Sequence, residues 1–498
     1  MRVTNTMINK TSMRNMNNNK VSVDYLNTQM TTQKKISRPS EDPVIAIRAL
    51  RLRSDLSEVN HFYEKNIPDA ESWLELTETA LTNMNTLLED IYKQCVQGST
   101  DSLKEDDRAA ILQNLQALRT QIYKEGNADN AGRTIFTGYK TNSQLTFAID
   151  EPDTSYDITE KMSFEDIGEK RYYANTVTLP VDENEVLNDA PKLENGEYPE
   201  EVTNFRMRLS YDGIDADAEF KLSYKGKDGT TGDITVTKMS YEDWAATGFE
   251  VKDGETIFIP ESGEIIFSKD VAENMRAAKA EFTVSYSKTG FGEGEIRPEH
   301  YFDCTNTTDP SNKIVYTKEN QEIAYTIAFN QTLVVNTQAS DVFNSSIGRD
   351  VDELMETVQA ATAAHEKVDK IKEMMEQEQY SSPDMQEALS KWLEAAEKEA
   401  AYADTNMQKH YEKAVGDFQD YMSQVTRAKT DVGSKGDRLK LTKERVSNQQ
   451  TAFEKLKSTN EDRELSDIII DFTSAYTAYQ ASLMASSRAN QQTLLNYL

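Results

Sequence analysis

The two ends of this 498-residue chain contain no glycine, since the first glycine is Gly98 and the last is Gly436. Mostly apolar residues step by three and four through the N-terminal stretch, at Ile67, Ala70, Leu74, Thr77, Leu81, Met84, Leu88, Ile91 and Cys95. In the C-terminal stretch they recur every seven residues, at Tyr411, Phe418, Val425, Val432, Leu439, Val446 and Phe453. Such repeats turn one helix face towards partner helices and give a left-handed supercoil. The two ends therefore predict a helical coiled-coil rod.

The N-terminal helical stretch is interrupted at residues 36–44, which read I-S-R-P-S-E-D-P-V. A residue that precedes proline is pushed out of the α region, so Arg38 and Asp42 should be extended. Asp42 can cap the N–H groups of a following helix, and Pro43 loses nothing at its first position. We therefore expect one helix to end near Lys35 and the next to begin at Pro43. The predicted interdomain joint consists of Arg38, Pro39, Ser40, Asp42 and Pro43.

Residues 144–348 have a different composition, with seven of the eleven prolines and 40 acidic against 18 basic side chains. Short runs in this section alternate apolar and polar residues, which is typical of half-buried strands, and turn-forming segments separate them. These runs are 205–211, 219–224, 233–239, 255–260, 264–268 and 280–287. The fold class predicted is α+β, with a terminal α-helical coiled-coil rod and an inserted antiparallel β section.

The first and last helices carry apolar residues that a single chain has little means to bury. We interpret them as a self-assembly interface, because burial against other subunits is their simplest use. We expect both helices to be disordered in the free chain and to fold on assembly. The candidate residues are Met13, Met16, Val23, Leu26, Met30, Phe472, Tyr476, Tyr479, Leu483, Leu494, Leu495, Tyr497 and Leu498.

Composition argues against several classes of protein. The formal net charge of -30 disfavours binding to nucleic acid or to an anionic membrane. No run approaches 18 apolar residues, and the N-terminus lacks the apolar core of a secretory signal peptide. The two cysteines, Cys95 and Cys304, make no disulfide framework, and Cys95 fits a buried apolar position on the helical seam.

Motifs that would indicate catalysis or metal binding are only partly matched. The stretch H-E-K-V-D at 365–369 has an aspartate where a zinc metalloprotease has its second histidine, so a charged helix surface is favoured. The acidic stretch 212–220 has the wrong spacing for a calcium loop, so a solvated hairpin is favoured. We therefore expect no enzyme activity, no cofactor and no metal.

Several longer stretches resemble the flagellin superfamily, and within it the branch that joins hook and filament in bacterial flagella. They include QKKISRPSEDPVIAIRALRLRSDL, NIPDAESWLELTETAL and NADNAGRTIFTGYKT near the start, and RAKTDVGSKGDRLKLTKERV and SLMASSRANQQTLLNYL near the end. The resemblance covers roughly 1–142 and 320–498. Residues 38–43 resemble the junction branch, whereas flagellin proper tends to have S-A-x-D-D-A-A-G there. Residues 134–139, T-I-F-T-G-Y, depart slightly from the usual sequence of that branch.

The resemblance implies an architecture and a role. Residues 1–42 and 457–498 would form an inner coiled-coil domain, 43–142 and 349–456 a helical rod domain, and 143–348 an outward β-rich insert. The implied function is a structural adaptor at the hook–filament junction, with flagellin as the alternative and an enzyme displayed on the flagellum as a third possibility. The implied partners are further copies in a ring-like helical turn, a neighbouring hook-associated protein, flagellin and an export chaperone. The implied location is the extracellular flagellum, reached without a cleaved signal peptide.

Deletion of residues 487–498 should leave a soluble, folded chain that no longer joins filaments, because the apolar end of the last helix is lost. Motility assays and electron microscopy of cells carrying the truncated gene show whether filaments still grow. Normal filament growth would show that the last helix has no part in assembly.

Overall fold

The computed structural model describes residues 5–99, 105–174, 176–188, 191 and 201–491. The chain divides into two compact units. The first contains residues 1–71, 325–333 and 437–498, and the second contains residues 72–324 and 334–436. Within the described part, no helix has the length and apolar character needed to cross a membrane.

Long helices occupy both ends of the chain, as the heptads predict. The described α-helices are α1 (Asn5–Thr32), α2 (Pro43–His61), α3 (Ile67–Gly98), α4 (Glu105–Gly126), α5 (Glu183–Asn188), α6 (Tyr241–Ala246), α7 (Lys269–Ala278), α8 (Ser346–Glu376), α9 (Pro383–Glu461) and α10 (Leu465–Gln491). Every predicted seam position from Ile67 to Cys95 is buried, and so are those from Tyr411 to Val446. Phe453, the last position of the C-terminal series, is half-buried.

The predicted break between the first two helices is confirmed. Helix α1 ends at Thr32 and α2 begins at Pro43. The Asp42 carboxylate caps α2 by accepting hydrogen bonds from the N–H groups of Val44, at 2.9 Å, and Ile45, at 3.1 Å. A π-helical segment, Phe62–Asn66, joins α2 to α3, so the helical winding changes between these two helices.

Strands fill the middle of the chain. They are β1 (Asp129–Asn130), β2 (Arg133–Thr134), β3 (Glu151–Ser163), β4 (Gly168–Tyr173), β5 (Glu201–Arg208), β6 (Lys221–Lys225), β7 (Thr231–Ile234), β8 (Thr237–Lys238), β9 (Thr256–Ile259), β10 (Glu264–Phe267), β11 (Glu281–Phe291), β12 (Asp303–Asn306), β13 (Ile314–Tyr316), β14 (Ala324–Ala328) and β15 (Gln331–Val334). They form a five-stranded sheet, β4-β5-β10-β9-β8, a six-stranded sheet, β13-β12-β3-β11-β6-β7, and two hairpins. The α+β class is therefore confirmed.

One predicted strand is divided between the two sheets. The run 233–239 contributes β7 to the six-stranded sheet and β8 to the five-stranded sheet. Strand β8 pairs with β9 in parallel, with Thr237 opposite Ile257, whereas β3 pairs antiparallel with both β11 and β12, as predicted for the insert. The physical reason is that the chain leaves one sheet after Ile234 and enters the other at Thr237, where its direction follows that of β9.

A hairpin from the middle of the chain belongs to the first unit. Strands β14 and β15 pair with each other, and residues 325–333 of this hairpin lie in that unit. The ring of Phe329 meets the ring of Phe62 edge to face, with centroids 5.5 Å apart. The side-chain amide of Asn66 donates to the Thr326 carbonyl at 2.7 Å. The hairpin is thus attached to the π-helical segment between α2 and α3.

Buried ion pairs join the five-stranded sheet to α8 in the second unit. Arg206 of β5, which is only 5% exposed, contacts both Glu264 of β10 and Glu353 of α8. Lys170 lies 2.7 Å from Glu264, and Arg208 lies 2.9 Å from Glu353. Burial alone would raise the pKa of Glu264, but the charges of Lys170 and Arg206 lower it to about 2. The carboxylates therefore stay ionised inside the fold.

Replacing Glu353 by alanine should destabilise the second unit by about 3–5 kcal/mol, because Arg206 and Arg208 would lose the buried carboxylate that they share. Chemical unfolding followed by circular dichroism measures the loss. Glu219→Ala is the matched control, since Glu219 pairs with Lys221 in solvent and its removal should leave the free energy of unfolding unchanged. Equal effects of the two substitutions would contradict the role given to the buried ion pairs.

Candidate assembly interface

Polar contacts next to the predicted joint hold the two ends of the chain together. We call this cluster the clasp, and it consists of Gln29, Lys34, Lys35, Arg53, Glu461, Asp462 and Arg463. The backbone N–H of Lys35 donates to the Glu461 carbonyl at 2.7 Å, and the N–H of Arg463 donates to the Gln33 carbonyl at 3.0 Å. These bonds form a short antiparallel contact between the segment that follows α1 and the segment that precedes α10.

The Glu461 carboxylate lies at the centre of the clasp. Glu461 is 3% exposed and accepts two hydrogen bonds from Arg53, at 2.7 Å from Nε and at 2.6 Å from Nη2. Lys34 lies 3.5 Å from the same carboxylate and also pairs with Asp462. The hydrogen bonds from Arg53 lower the pKa of Glu461, and the hydrogen bond from Lys34 lowers that of Asp462. Glu461 is therefore charged and paired in the folded chain.

A buried amide completes the clasp. Gln29, also 3% exposed, donates from its side chain to the Lys35 carbonyl at 2.6 Å. Its side-chain oxygen accepts a hydrogen bond of 2.8 Å from Arg463 Nη1. A buried amide whose donor and acceptor are both used stabilises one arrangement of the backbone around it. Gln29 therefore fixes how the two segments cross.

The predicted joint residues form the turn beside the clasp. Asp42 and Pro43 start α2, while Arg38, Pro39 and Ser40 are exposed in a turn that the Glu41 N–H closes by donating to the Arg38 carbonyl at 3.0 Å. Sequence reasoning missed the clasp itself. The sequence contains only a weak signal for the clasp. Lys34 and Lys35 follow α1, and the acidic pair Glu461 and Asp462 precedes a helix break that contains neither proline nor glycine.

Helices α1 and α10 contact each other within one chain. Half-buried or buried residues recur along both at spacings of three and four, which is the pattern of a two-helix seam. They are Met16, Asn19, Val23, Leu26 and Met30 on α1, and Ile468, Phe472, Ala475, Tyr479 and Ser482 on α10. The Asn19 side-chain amide lies 3.5 Å from the Ala478 carbonyl across the pair. The expectation that both helices are disordered before assembly stays a prediction.

The residues predicted for self-assembly fall into three groups. Met16, Val23, Leu26, Met30, Phe472 and Tyr479 are half-buried at seam positions. Met13, Tyr476 and Leu483 are exposed by 61%, 45% and 40%. Leu494, Leu495, Tyr497 and Leu498 lie outside the described residues. One chain thus partly covers the first group and leaves the second exposed.

Further apolar side chains, outside the candidate residues predicted for self-assembly, are exposed on the same helices. They are Met7, Ile8, Val21 and Tyr25 on α1, and Leu465, Ile469, Ile470 and Met484 on α10. Four of them are exposed by more than half, namely Met7, Val21, Ile470 and Met484. Exposed apolar side chains gathered on one structural element mark a binding surface. The terminal helix pair can therefore bury apolar area against another chain.

The structure explains the residues that partly match catalytic or metal-binding motifs in the sequence. His365 lies on α8 and pairs with Asp404 of α9 at 2.9 Å. Asp215, in the acidic stretch 212–220, accepts a hydrogen bond from Thr289 at 2.8 Å. Cys95 and Cys304 are buried, and burial raises the pKa of each thiol to about 12. Across the described ranges, no three His, Cys, Asp or Glu side chains are grouped to hold a metal ion.

Replacing Glu461 by glutamine should lower the free energy of unfolding by about 1–2 kcal/mol at pH 7, because a charged hydrogen-bonding partner of the half-exposed Arg53 is lost. The lowered pKa of Glu461 gives the pH dependence its sign. The difference between wild type and E461Q should be complete above a pH of about 4.5 and shrink as the pH falls through the lowered pKa. Thermal unfolding from pH 7 to pH 3 measures it.

Glu444→Gln is the control for this series, since Glu444 is exposed on α9 and belongs to no ion pair within the described residues. It should unfold like the wild type at every pH. A difference between wild type and E461Q that grew with acid would contradict the role assigned to the Glu461 carboxylate.

Comparison with known proteins finds similarity to flagellar proteins. The model of the bacterial flagellin N-terminal helical region matches residues 3–141, and that of the bacterial flagellin C-terminal helical region matches residues 415–498. The flagellar hook-associated protein 3 of Salmonella typhimurium is 31% identical over 144 residues, and that of Escherichia coli is 32% identical over the same length. Each alignment covers 29% of this chain and 45% of the relative, so the match spans less than half of either curated relative.

Solved structures of similar proteins are more distant. The hook-associated protein 3 of Legionella pneumophila is 10% identical with a TM-score of 0.29, over 82% of this chain and 97% of that one. FlgL of Xanthomonas campestris is 11% identical with a TM-score of 0.22, over 80% of this chain and 99% of that one. The two matching family models both describe helical regions of bacterial flagellin, and one matches each end of this chain.

Proposed function

We propose that this chain is a structural adaptor of the bacterial flagellum, located at the junction between hook and filament. The observation that carries the proposal is the pairing of α1 with α10, which leaves apolar side chains of both helices exposed. The similarity of a 144-residue part of the chain to flagellar hook-associated protein 3 supports the position at the junction. The short motif at residues 38–43 supports the same branch of the superfamily.

Assembly in this proposal is driven by burial of the terminal helices. Fully burying a Leu or Met side chain stabilises by about 1.5–3 kcal/mol, while ordering one backbone residue costs about 1–2 kcal/mol. A helix pair with a half-buried seam therefore needs apolar contact from neighbouring copies to be held firmly. Copies add cooperatively in a ring-like helical turn, between a neighbouring hook-associated protein on one side and flagellin on the other.

The remaining parts of the proposal concern organisation and export. Residues 1–42 and 457–498 form the inner coiled-coil domain, 43–142 and 349–456 the helical rod domain, and 143–348 an insert that faces outward. The chain works outside the cell without catalytic activity, reaches the flagellum without a cleaved signal peptide, and is bound before export by a chaperone that covers α10. The exposed apolar residues of α10 support that last step.

Flagellin, the bulk subunit of the filament, is the second candidate. The observation that favours it is that both matching family models describe flagellin regions. The two candidates differ in copy number and position, because a junction adaptor occupies one narrow zone of each flagellum and flagellin occupies its whole length.

Immunogold electron microscopy of flagella isolated from cells that make this chain separates the candidates. We expect label in a single zone beside the hook, and cells that lack the gene should carry hooks without filaments. Cells making a chain without residues 465–498 are the control and should show no label. Label along the whole filament would favour flagellin, and no label on flagella of the complete chain would contradict both candidates.

A further inference from the structure

Charge is divided very unevenly between the two units. The first unit, residues 1–71, 325–333 and 437–498, has 19 basic and 16 acidic side chains. The second unit holds the other 36 basic and 69 acidic side chains. The first unit is therefore slightly positive, and the second carries the entire negative excess of the chain.

Helix α2 of the first unit has a second apolar face that the described residues of its own chain leave exposed. Ala46, Ala49, Leu52, Leu56 and Val59 bury one side of the helix. On the other side, Val44 is 76% exposed, Ile47 is 56% exposed and Leu50 is 65% exposed. These residues follow one another at intervals of three, so they lie side by side along the exposed surface of the helix.

Two arginines lie among these apolar residues. Arg48 and Arg51 are exposed, and neither makes an ion pair or hydrogen bond through its side chain to any part of the chain that the structure describes. We call the set of Val44, Ile47, Arg48, Leu50 and Arg51 the α2 stripe. It combines apolar area with two unpaired guanidinium groups in a chain whose net charge is -30.

We propose that the α2 stripe docks onto the acidic second unit of another copy of this chain. The inference rests on the proposed function, because it requires copies assembled next to one another. The second unit of a neighbouring copy supplies the carboxylates that the two arginines lack, and contact excludes water from the three apolar side chains. Complementary charge of this kind favours encounter and fixes which surfaces meet.

The charge of the stripe also selects the type of contact. In a two-fold symmetric dimer the same surface meets itself, so stripe against stripe would bring four guanidinium groups together without a counter-charge. In the proposed array the first unit of each copy meets the second unit of the next one, which is a heterologous, head-to-tail contact. Heterologous contacts repeat from copy to copy and build rings or helical arrays. The stripe therefore sets the direction in which copies follow one another.

Photo-crosslinking in isolated flagella tests the contact. A photoreactive amino acid replaces Ile47, and cells make a mixture of isotopically heavy and light copies of the full chain, so that mass spectrometry separates links between copies from links within one. We expect heavy–light links from position 47 to peptides within residues 72–324 or 334–436. The same amino acid at Lys455, an exposed position on α9, is the control.

Links from position 47 to the first unit of another copy, to a different protein or to lipid would overturn the docking proposal while leaving the junction role intact. The absence of any link from position 47 in flagella that contain the chain would also overturn it. A chain that is absent from flagella altogether would overturn the junction role and the docking contact together.

Charge reversal supplies an independent readout. The variant R48E/R51E should reduce the amount of chain retained in isolated flagella by about tenfold, since two attractive contacts become repulsive. The matched variant K440E/K455E changes the net charge of the same unit equally and should be retained like wild type. Circular dichroism should show equal folding of all three, because the four positions are exposed. Equal retention of R48E/R51E and wild type would contradict the contact.

Discussion

The buried carboxylate of Glu461 is the interaction on which the arrangement of the chain ends depends. Glu461 is the last residue of the 79-residue helix α9, and its carboxylate accepts two hydrogen bonds from Arg53. A carboxylate that was equally buried but unpaired would be strongly destabilising. Because Lys34 and the backbone of Lys35 meet the same residue, the segment after α1 and the segment before α10 are held together. Helix α1 ends and α10 begins at that common point, and the two helices pair.

Regular spacing explains which parts of this fold could be predicted. Heptad positions such as Leu81 and Phe418 are buried because their spacing alone places them on one helix face. The start of α2 follows from local chemistry at Asp42 and Pro43. The clasp could not be found in this way, since Arg53 and Glu461 are 408 residues apart and only the folded chain brings them together. The exposed apolar face of α2 was also missed. The apolar residues on its buried face are enough to predict an amphipathic helix, so the sequence gives no reason to look for a second apolar face.

The strands show where alternation fails as a guide. The longest strand, β3, was not predicted, because its sequence, EPDTSYDITEKMS, places few large apolar residues on its buried face. It forms through pairing with β11, whose Phe282 and Tyr286 are buried, and with β12. Sequence alternation predicts one strand over 233–239, because the alternation contains no information about which sheet receives each part. Charge is used in two ways in this second unit, as a solvated acidic surface and as the buried ion pairs around Arg206.

Amide hydrogen exchange in the isolated full-length chain tests the central claim most directly. The N–H groups of Lys35 and Arg463 donate to carbonyls of the opposite chain end, so their exchange reports whether the clasp is closed. At pH 7 we expect both amides to exchange at least about a hundredfold more slowly than in an unstructured peptide, and E461Q to speed up both. Exchange at the rate of an unstructured peptide in the wild type would show that the two ends are not held together in a single copy, and would contradict this account.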